Sequence, residues 1–437
     1  MWWLDNILFF IALFAGTGAF AYQVWQISKV IRRGKPFDLN TTTGQKIKNL
    51  FVYGILQKKM FKYPPVGVMH ILTVAGFFII NLEMIEIIAE MLTETKRPFQ
   101  YVLGEAYPVF IAALETLAVI VAFAMLFFLF RRLVLRVPRL SHPDLDRKSH
   151  LDANMILIAV FFLMVFILLM NAADYALYLK GEHTYAFSTP FLITSWIAMF
   201  MTGMEASTLH FLERLGWWGH NLLMFALAAY LPRSKHLHMF FSFVNTALTP
   251  HIPRGKMLHK PEIKAVIESF LTGTDAGGEQ PERFGARDVL DLPWKSILDA
   301  FTCTECGRCT AACPANQTGK KLSPRRIMMM TRDRAEDYLR HWKQNGWDAP
   351  PPEGSLFDYI SEEEINACTS CAACVEECPV NINPLMIILE MRRHIVLDEG
   401  RASREWTIMF QNVENNGAPW QFPPTDRDKW AKELQAN

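Results

Sequence analysis

The sequence has little charge for its length. Only 20% of its 437 residues are Asp, Glu, Lys or Arg, and the net charge is +1. So slight a basic excess argues against nucleic-acid binding, which needs a cationic face. A mean hydropathy of +0.12 is more apolar than soluble chains usually are. The start, Met1-Trp2-Trp3, has no basic stretch and no clean small-residue cleavage site after it, so no removable secretion signal is expected. Cysteine is scarce as well: the chain has eight, none before Cys303 and none after Cys378. A disulfide framework suits small secreted domains rather than a pattern this regular in a long chain.

What the cysteines form is a repeat. Cys303-Thr-Glu-Cys306-Gly-Arg-Cys309-Thr-Ala-Ala-Cys313-Pro314 recurs as Cys368-Thr-Ser-Cys371-Ala-Ala-Cys374-Val-Glu-Glu-Cys378-Pro379, each cysteine shifted by 65 positions. Zinc usually takes two C-x2-C pairs set far apart, which this is not. Two-residue gaps let three thiolates converge on three corners of an iron–sulfur cube, and in two-cluster ferredoxins the cysteine before proline crosses to the other cube. The spacing therefore predicts one [4Fe–4S] cluster on Cys303, Cys306, Cys309 and Cys378, and a second on Cys368, Cys371, Cys374 and Cys313. With every thiol so committed, this half should face a reducing cytoplasm.

The first half carries the apolar runs. Ile7 to Ile27, Val66 to Ile88, Val109 to Phe130 and Met155 to Ala172 each approach the twenty or so residues a bilayer core requires. Lys29, Arg32, Arg33 and Lys35, then Lys58, Lys59 and Lys62, then Arg131, Arg132, Arg136 and Arg139 mark inner loops, whereas Glu83, Glu86 and Glu90 mark an outward exit. Trp217 to Val244, read through Pro232, gives a fifth span, with Phe191 to Phe211 at the outer interface or re-entrant. Five crossings put the cysteines inside the cell, in a plasma (inner) membrane. The expected fold is an all-α membrane bundle over 1–250 and a linker over 251–290. A mostly α-helical dicluster ferredoxin-like domain follows over 291–400, then a tail over 401–437 that offers a docking segment.

Histidines within spans are expensive unless they have a task. His220 and His238 are eighteen residues apart, which is five turns of a continuous helix, so both rings would leave one face. His70 and His238 lie at similar depth near the inner surface, as the two axial ligands of a b-type haem must. His236 would leave the helix on another face. His220 has no partner at its depth, and His183 and His210 are weaker candidates. Arg233 and Lys235 sit where haem carboxylates would meet the inner interface.

The five-span layout, the histidine pair and the run Leu231-Pro-Arg-Ser-Lys-His-Leu-His238 resemble the haem-b gamma subunit of respiratory nitrate reductases. The second half is similar to the iron–sulfur portion of membrane-linked heterodisulfide reductases: Cys313-Pro-Ala, Thr318-Gly-Lys-Lys-Leu-Ser-Pro324, Cys378-Pro-Val-Asn-Ile-Asn-Pro384 and Asn415-Asn-Gly-Ala-Pro-Trp420 carry the likeness. Two departures stand out. Ile80 occupies the place of a second histidine on the second span, and the cysteine-rich CCG modules of those reductases have no counterpart here. The resemblance implies electron transfer between a cytoplasmic CCG-module protein or flavoprotein and membrane quinone, through two clusters and one haem b. The same class could run from quinol to a disulfide-reducing partner. A membrane-anchored iron–sulfur protein without redox turnover is the other class, and it has no use for intramembrane histidines.

Within the second half, Pro324 to Trp342, Glu362 to Asn366 and Asn383 to Leu397 should be helical, with Met328-Met329-Met330 as core packing. Gly255 to Arg287, which contains Thr272-Gly-Thr-Asp-Ala-Gly-Gly278, reads as a tether.

Overall fold

The computed structural model describes residues 2–182, 191–253, 255–257, 260–273 and 283–436. Among these every regular element is helical, and extended pairing is confined to one isolated bridge between Lys35 and Pro293. Helices α1 (Trp2–Arg32), α2 (Pro64–Thr93), α3 (Tyr107–Leu133) and α4 (Arg147–Leu179) each contain one expected span. Among the described residues, the four helical stretches long and apolar enough to cross a bilayer are built on them. Their starts follow local chemistry. Proline in the first turn opens α2 and α3, where its missing N–H costs nothing. The Asp146 carboxylate caps α4 by accepting from Ser149 N at 2.7 Å.

The expected fifth span is built differently. A short helix α5 (Thr194–Met201) is separated from α6 (Ala206–Tyr230), which begins eleven residues before Trp217. The stretch 191–211 is therefore not one segment, and its last part belongs to α6. At about 1.5 Å per residue, the 25 residues of α6 run about 37 Å. The expected continuous helix through Pro232 does not form. Leu231–Arg233 and Lys235–Leu237 are 3-10 turns, Ser234 between them is extended, and α7 (His238–Ala247) starts anew. Proline lacks the donor that an α-turn needs and clashes with the turn before it. His220 and His238 thus sit on two helices, not on one face of one.

Packing of α6 against α4 is the most extensive in the bundle. Glycine makes it possible: a Cβ at Gly216 would fall 2.7 Å from Met170 N. Close backbone approach of this kind is how membrane helices gain contact without a hydrophobic gradient. The end of α1, the starts of α2 and α4, and the segments following α3 and α6 all meet the cysteine-bearing domain. These five ends of the bundle therefore lie on the cysteine side.

That domain is built on α8 (Trp294–Thr302), α9 (Pro324–Asn345) and α10 (Pro384–Arg393). Ile297, Ile327, Met328, Tyr338, Leu356, Ile387 and Met391 form its core, and Ile27, Val30 and Ile31 of α1 with Leu237 and Phe241 continue it. One apolar core runs from the bundle into the domain. Residues 362–366 are helical as expected, and α10 continues into a π turn over His394–Asp398. Inside the expected tether a helix occupies Pro261–Thr272, and residues 274–282 lie outside the described set. A further helix, α11 (Arg404–Asn416), begins the tail.

Candidate functional site

The two cysteine repeats share an unusual backbone. Glu305 and Gly307 in the first have φ of 56° and 73°, and Ser370 and Ala372 in the second have φ of 57° and 60°. The same two offsets take the left-handed region in both copies, at a cost for the three that are not glycine. These turns fold three thiols inward over seven residues, and a short helix, Arg308–Ala311 or Ala373–Glu377, carries the chain away.

The fourth cysteines cross. Cys378 lies among the thiols of the first repeat, where Cys303, Cys306 and Cys309 share a pocket with it. Cys374 has Cys368, Cys313 and Cys371 as neighbours, and it also reaches the edge of the first pocket. Burial, with the neighbouring thiols adding to it, pushes Cys303, Cys374 and Cys378 up to about 12. Crowded, dry thiols of this kind lose their protons to a metal cation, not to water. The donor sets fit two iron–sulfur cubes.

The first group is pressed against the bundle. Lys59 Nζ donates to the Cys378 carbonyl at 3.2 Å, Arg139 donates to that of Cys306, and Arg308 donates to the Lys59 carbonyl at 3.0 Å. Glu305 lies in the same turn. Lys235 Nζ is 2.6 Å and Arg332 2.7 Å from its two oxygens. Burial alone would raise the Glu305 carboxyl, yet Arg332 and Lys235 hold it down at about 2. Lys235 is therefore committed to the cysteine loop, and Arg233 is exposed. The second group faces outward: Cys371 is exposed, while Arg392 donates to the Cys368 carbonyl at 2.5 Å.

The histidines divide into neighbours. His70 is within electrostatic reach of His236 and His238, and the His236 and His238 rings are 5.2 Å apart. A cavity of about 410 Å³ between α1, α2, α4 and α6 is lined by His220, His236, Thr73, Asn81, Phe77 and Met164 among others. His236 faces this cavity, contrary to the helical phase, because the 3-10 turns after Pro232 rotate it. His70 Nδ1 meets Gln57 Oε1 at 2.8 Å, His238 Nδ1 the Lys235 carbonyl at 2.9 Å, and His220 Nδ1 the Leu163 carbonyl at 3.0 Å. Among the described residues Nε2 of each has no hydrogen bond. A fixed Nδ1 with Nε2 left free is how metal-ligating imidazoles are held; of these histidines His220 lines the large cavity, and His70 and His238 do not. His210 is exposed, and His183 lies outside the described residues.

One group of residues escaped the sequence reading. Glu83, Glu86 and Glu90 lie at the end of the bundle away from the cysteines, and they are buried there with Arg97, Glu115 and Asp174 rather than left as a solvated flank. Their spacing of three and four is the one-face helical pattern, which was the available signal.

The 4Fe–4S dicluster domain family matches residues 299–382. The class is thereby defined: a helical membrane protein carrying an iron–sulfur dicluster domain. Over 98% of its length the chain is similar to two curated proteins. It is 27% identical to a probable iron-sulfur-binding oxidoreductase, FadF, of Bacillus subtilis, covering 61% of that protein. It is 25% identical to the EtfAB:quinone oxidoreductase of Syntrophomonas wolfei, covering 59% of it. A probable membrane-anchored ferredoxin of Chromohalobacter salexigens is 31% identical over 34% of this chain and 24% of its own. The chain thus spans about three fifths of the length of the first two relatives. No solved structure matches it.

Proposed function

We propose that the protein carries electrons between a soluble oxidoreductase partner, a CCG-module protein or a flavoprotein, and the membrane quinone pool. The observation that carries this reading is the position of the first cysteine group, held by Lys59 and Arg139 at the foot of helices whose interior presents histidines. Similarity to an EtfAB:quinone oxidoreductase supports it. Cys303, Cys306, Cys309 and Cys378 would hold one [4Fe–4S] cluster; Cys368, Cys371, Cys374 and Cys313 would hold the other. His70 and His238 would hold haem b. These groups supply one-electron carriage when bound. Exposed Cys371 gives the partner its approach, and Lys59, Arg139 and Lys235 fix the inner group against the bundle. The cavity that His220 and His236 line has apolar walls with a few polar groups, the make-up of a small-molecule site, and would take the quinone ring. Lys29, Arg32, Arg131 and Arg132 end helices on the cysteine side, so that side faces the cytoplasm across the plasma membrane.

Anaerobically purified protein should contain about eight irons and eight acid-labile sulfides per chain, and zinc in their place would sink the reading. Reduced membranes should show a low-spin b-type α band that His70→Ala and His238→Ala each abolish. His220→Ala should retain the band and lose quinone turnover. A haem-to-protein ratio of about two that falls to one in His220→Ala would make the cavity a second haem site instead. A reporter fused after Gly255 should appear on the cytoplasmic side, and one after Lys180 on the opposite side.

A further inference from the structure

At the end of the bundle away from the cysteines, Glu83, Glu86, Glu90, Asp174 and Glu213 surround a cavity of about 30 Å³, together with Lys96, Arg97, Ile87, Met170 and Trp217. The partners of these acids are unequal. Arg97 pairs with Asp174 at 2.7 Å and donates to Asn171 at 3.0 Å. Lys96 stands 3.7 Å from both Glu90 and Glu213. Glu86 accepts from Phe99 N at 3.2 Å and from the Tyr107 hydroxyl at 3.3 Å. On α3, Glu115 accepts from Ile193 N at 2.8 Å, and on the α1 side Asp5 is paired with Arg214 at 2.9 Å. Glu83 is the exception. It is 4% exposed, and its Oε2 is buried without a hydrogen-bond partner among the described residues.

A carboxylate in that position would have no direct ion pair or donor, since Arg97 in the same cavity is spent on Asp174, and an unpaired buried charge is among the most costly groups a protein can hold. Size then limits what shares the cavity with it. About 30 Å³ is room for about two water molecules, too small for a quinone. The 410 Å³ cavity begins one turn away: Ile80 and Met84 of α2 and His220 of α6 line it, while Glu83, Ile87 and Trp217 on the same helices line the small one. Lys96, with its side chain 42% exposed, marks the outlet to solvent.

We propose that Glu83 is a proton-carrying site joining the large cavity to the face of the bundle opposite the cysteines. The site rests on the quinone reading for its use, though not for its existence. Reduction of a quinone takes two electrons, delivered from the cysteine side by the reduced partner oxidoreductase, and two protons. Glu83 gives up one proton at a time toward the large cavity and regains it from water held among Glu90, Glu213 and Lys96. Quinol oxidation runs the same route outward. Electrons and protons then reach the quinone from opposite ends.

The test is acid–base difference infrared spectroscopy on the full chain in lipid vesicles at fixed redox state. Wild type should show the C=O stretch of a protonated, buried carboxyl that shifts in D2O. Glu83→Gln should remove that band and Glu83→Asp should move it, with iron content and haem spectrum unchanged in both. Absence of the band from wild type, or its survival in Glu83→Gln, overturns the site. Quinone turnover in Glu83→Gln should fall about a hundredfold, and unchanged turnover overturns the relay. If wild type turns over no quinone, the functional reading fails while the infrared result still decides the proton site.

Discussion

The two cysteine repeats are the same length of chain, bent by the same left-handed turns, and yet they occupy opposite situations. Around the first, charged side chains from three segments of the bundle reach in: Lys59 before α2, Arg139 after α3 and Lys235 after α6. Around the first three cysteines of the second, the close cation is Arg392 of the domain itself and Cys371 reaches the surface, while Lys59 and Lys62 touch only its end, at Cys378 and Glu377. Gly307 shows the cost of the first setting. A Cβ there would lie 2.6 Å from Arg325 NH1 and 2.8 Å from the Arg139 carbonyl, so the position needs glycine for space as well as for its φ. At the matching position of the second repeat the chain carries Ala372. The same left-handed turns are thus set once against the helical bundle and once toward the surface.

The crossed cysteines give the largest test of this contrast. Cys378→Ala should empty the inner group and leave about four irons per chain, and Cys313→Ala should remove the outer four instead. Electron paramagnetic resonance on each variant identifies the survivor. Loss of the outer signal from Cys378→Ala would break the pairing and the contrast with it.

Arg325→Ala should come next. Arg325 is 1% exposed at its side chain, pairs with Asp144 ahead of α4, and donates to the Arg139 carbonyl at 2.6 Å. Removing it leaves the buried Asp144 carboxylate with Ser323 and His142 but without its guanidinium, and should lower stability by about 3 kcal/mol, read as the denaturation midpoint of the domain. The pH dependence follows the same pair. Burial pushes the Asp144 carboxyl up, but Arg325 and Ser323 more than offset this and hold it below its ordinary value. A depressed carboxylate contributes stability that is complete above its unfolded value and is lost as pH falls through the folded one. Wild type should therefore weaken below about pH 4, and Asp144→Asn should flatten that part of the curve. Equal acid sensitivity in both would sink the assignment.

Much of this was legible beforehand for physical reasons. The cysteine spacing is set by cluster geometry and the four apolar helices by bilayer thickness, so both survive any tertiary context. What the sequence hid were breaks and burial. Pro232 was visible, but whether it bends a helix or ends it depends on what receives the next turn, here Asp152 accepting from Lys235 N at 3.2 Å. That choice moved His236 into the cavity. The burial of the α2 acids was hidden because the residues around them, Arg97 and Asp174, come from elsewhere in the chain.

The smallest effect separates the repeats at one atom. Ala372 holds φ of 60°, a conformation that costs an L-residue roughly 1 kcal/mol and glycine almost nothing. Ala372→Gly should therefore be near neutral: relief of the left-handed strain offsets the greater freedom that glycine gives the unfolded chain. Gly307→Ala carries the same backbone cost plus two contacts under 3 Å, and should destabilise by about 2–3 kcal/mol. It should also loosen the inner group from Arg139, seen as faster iron loss to a chelator than in Ala372→Gly. If the two substitutions behave alike, the bundle does not grip the first repeat, and the asymmetry between the repeats is one of exposure alone.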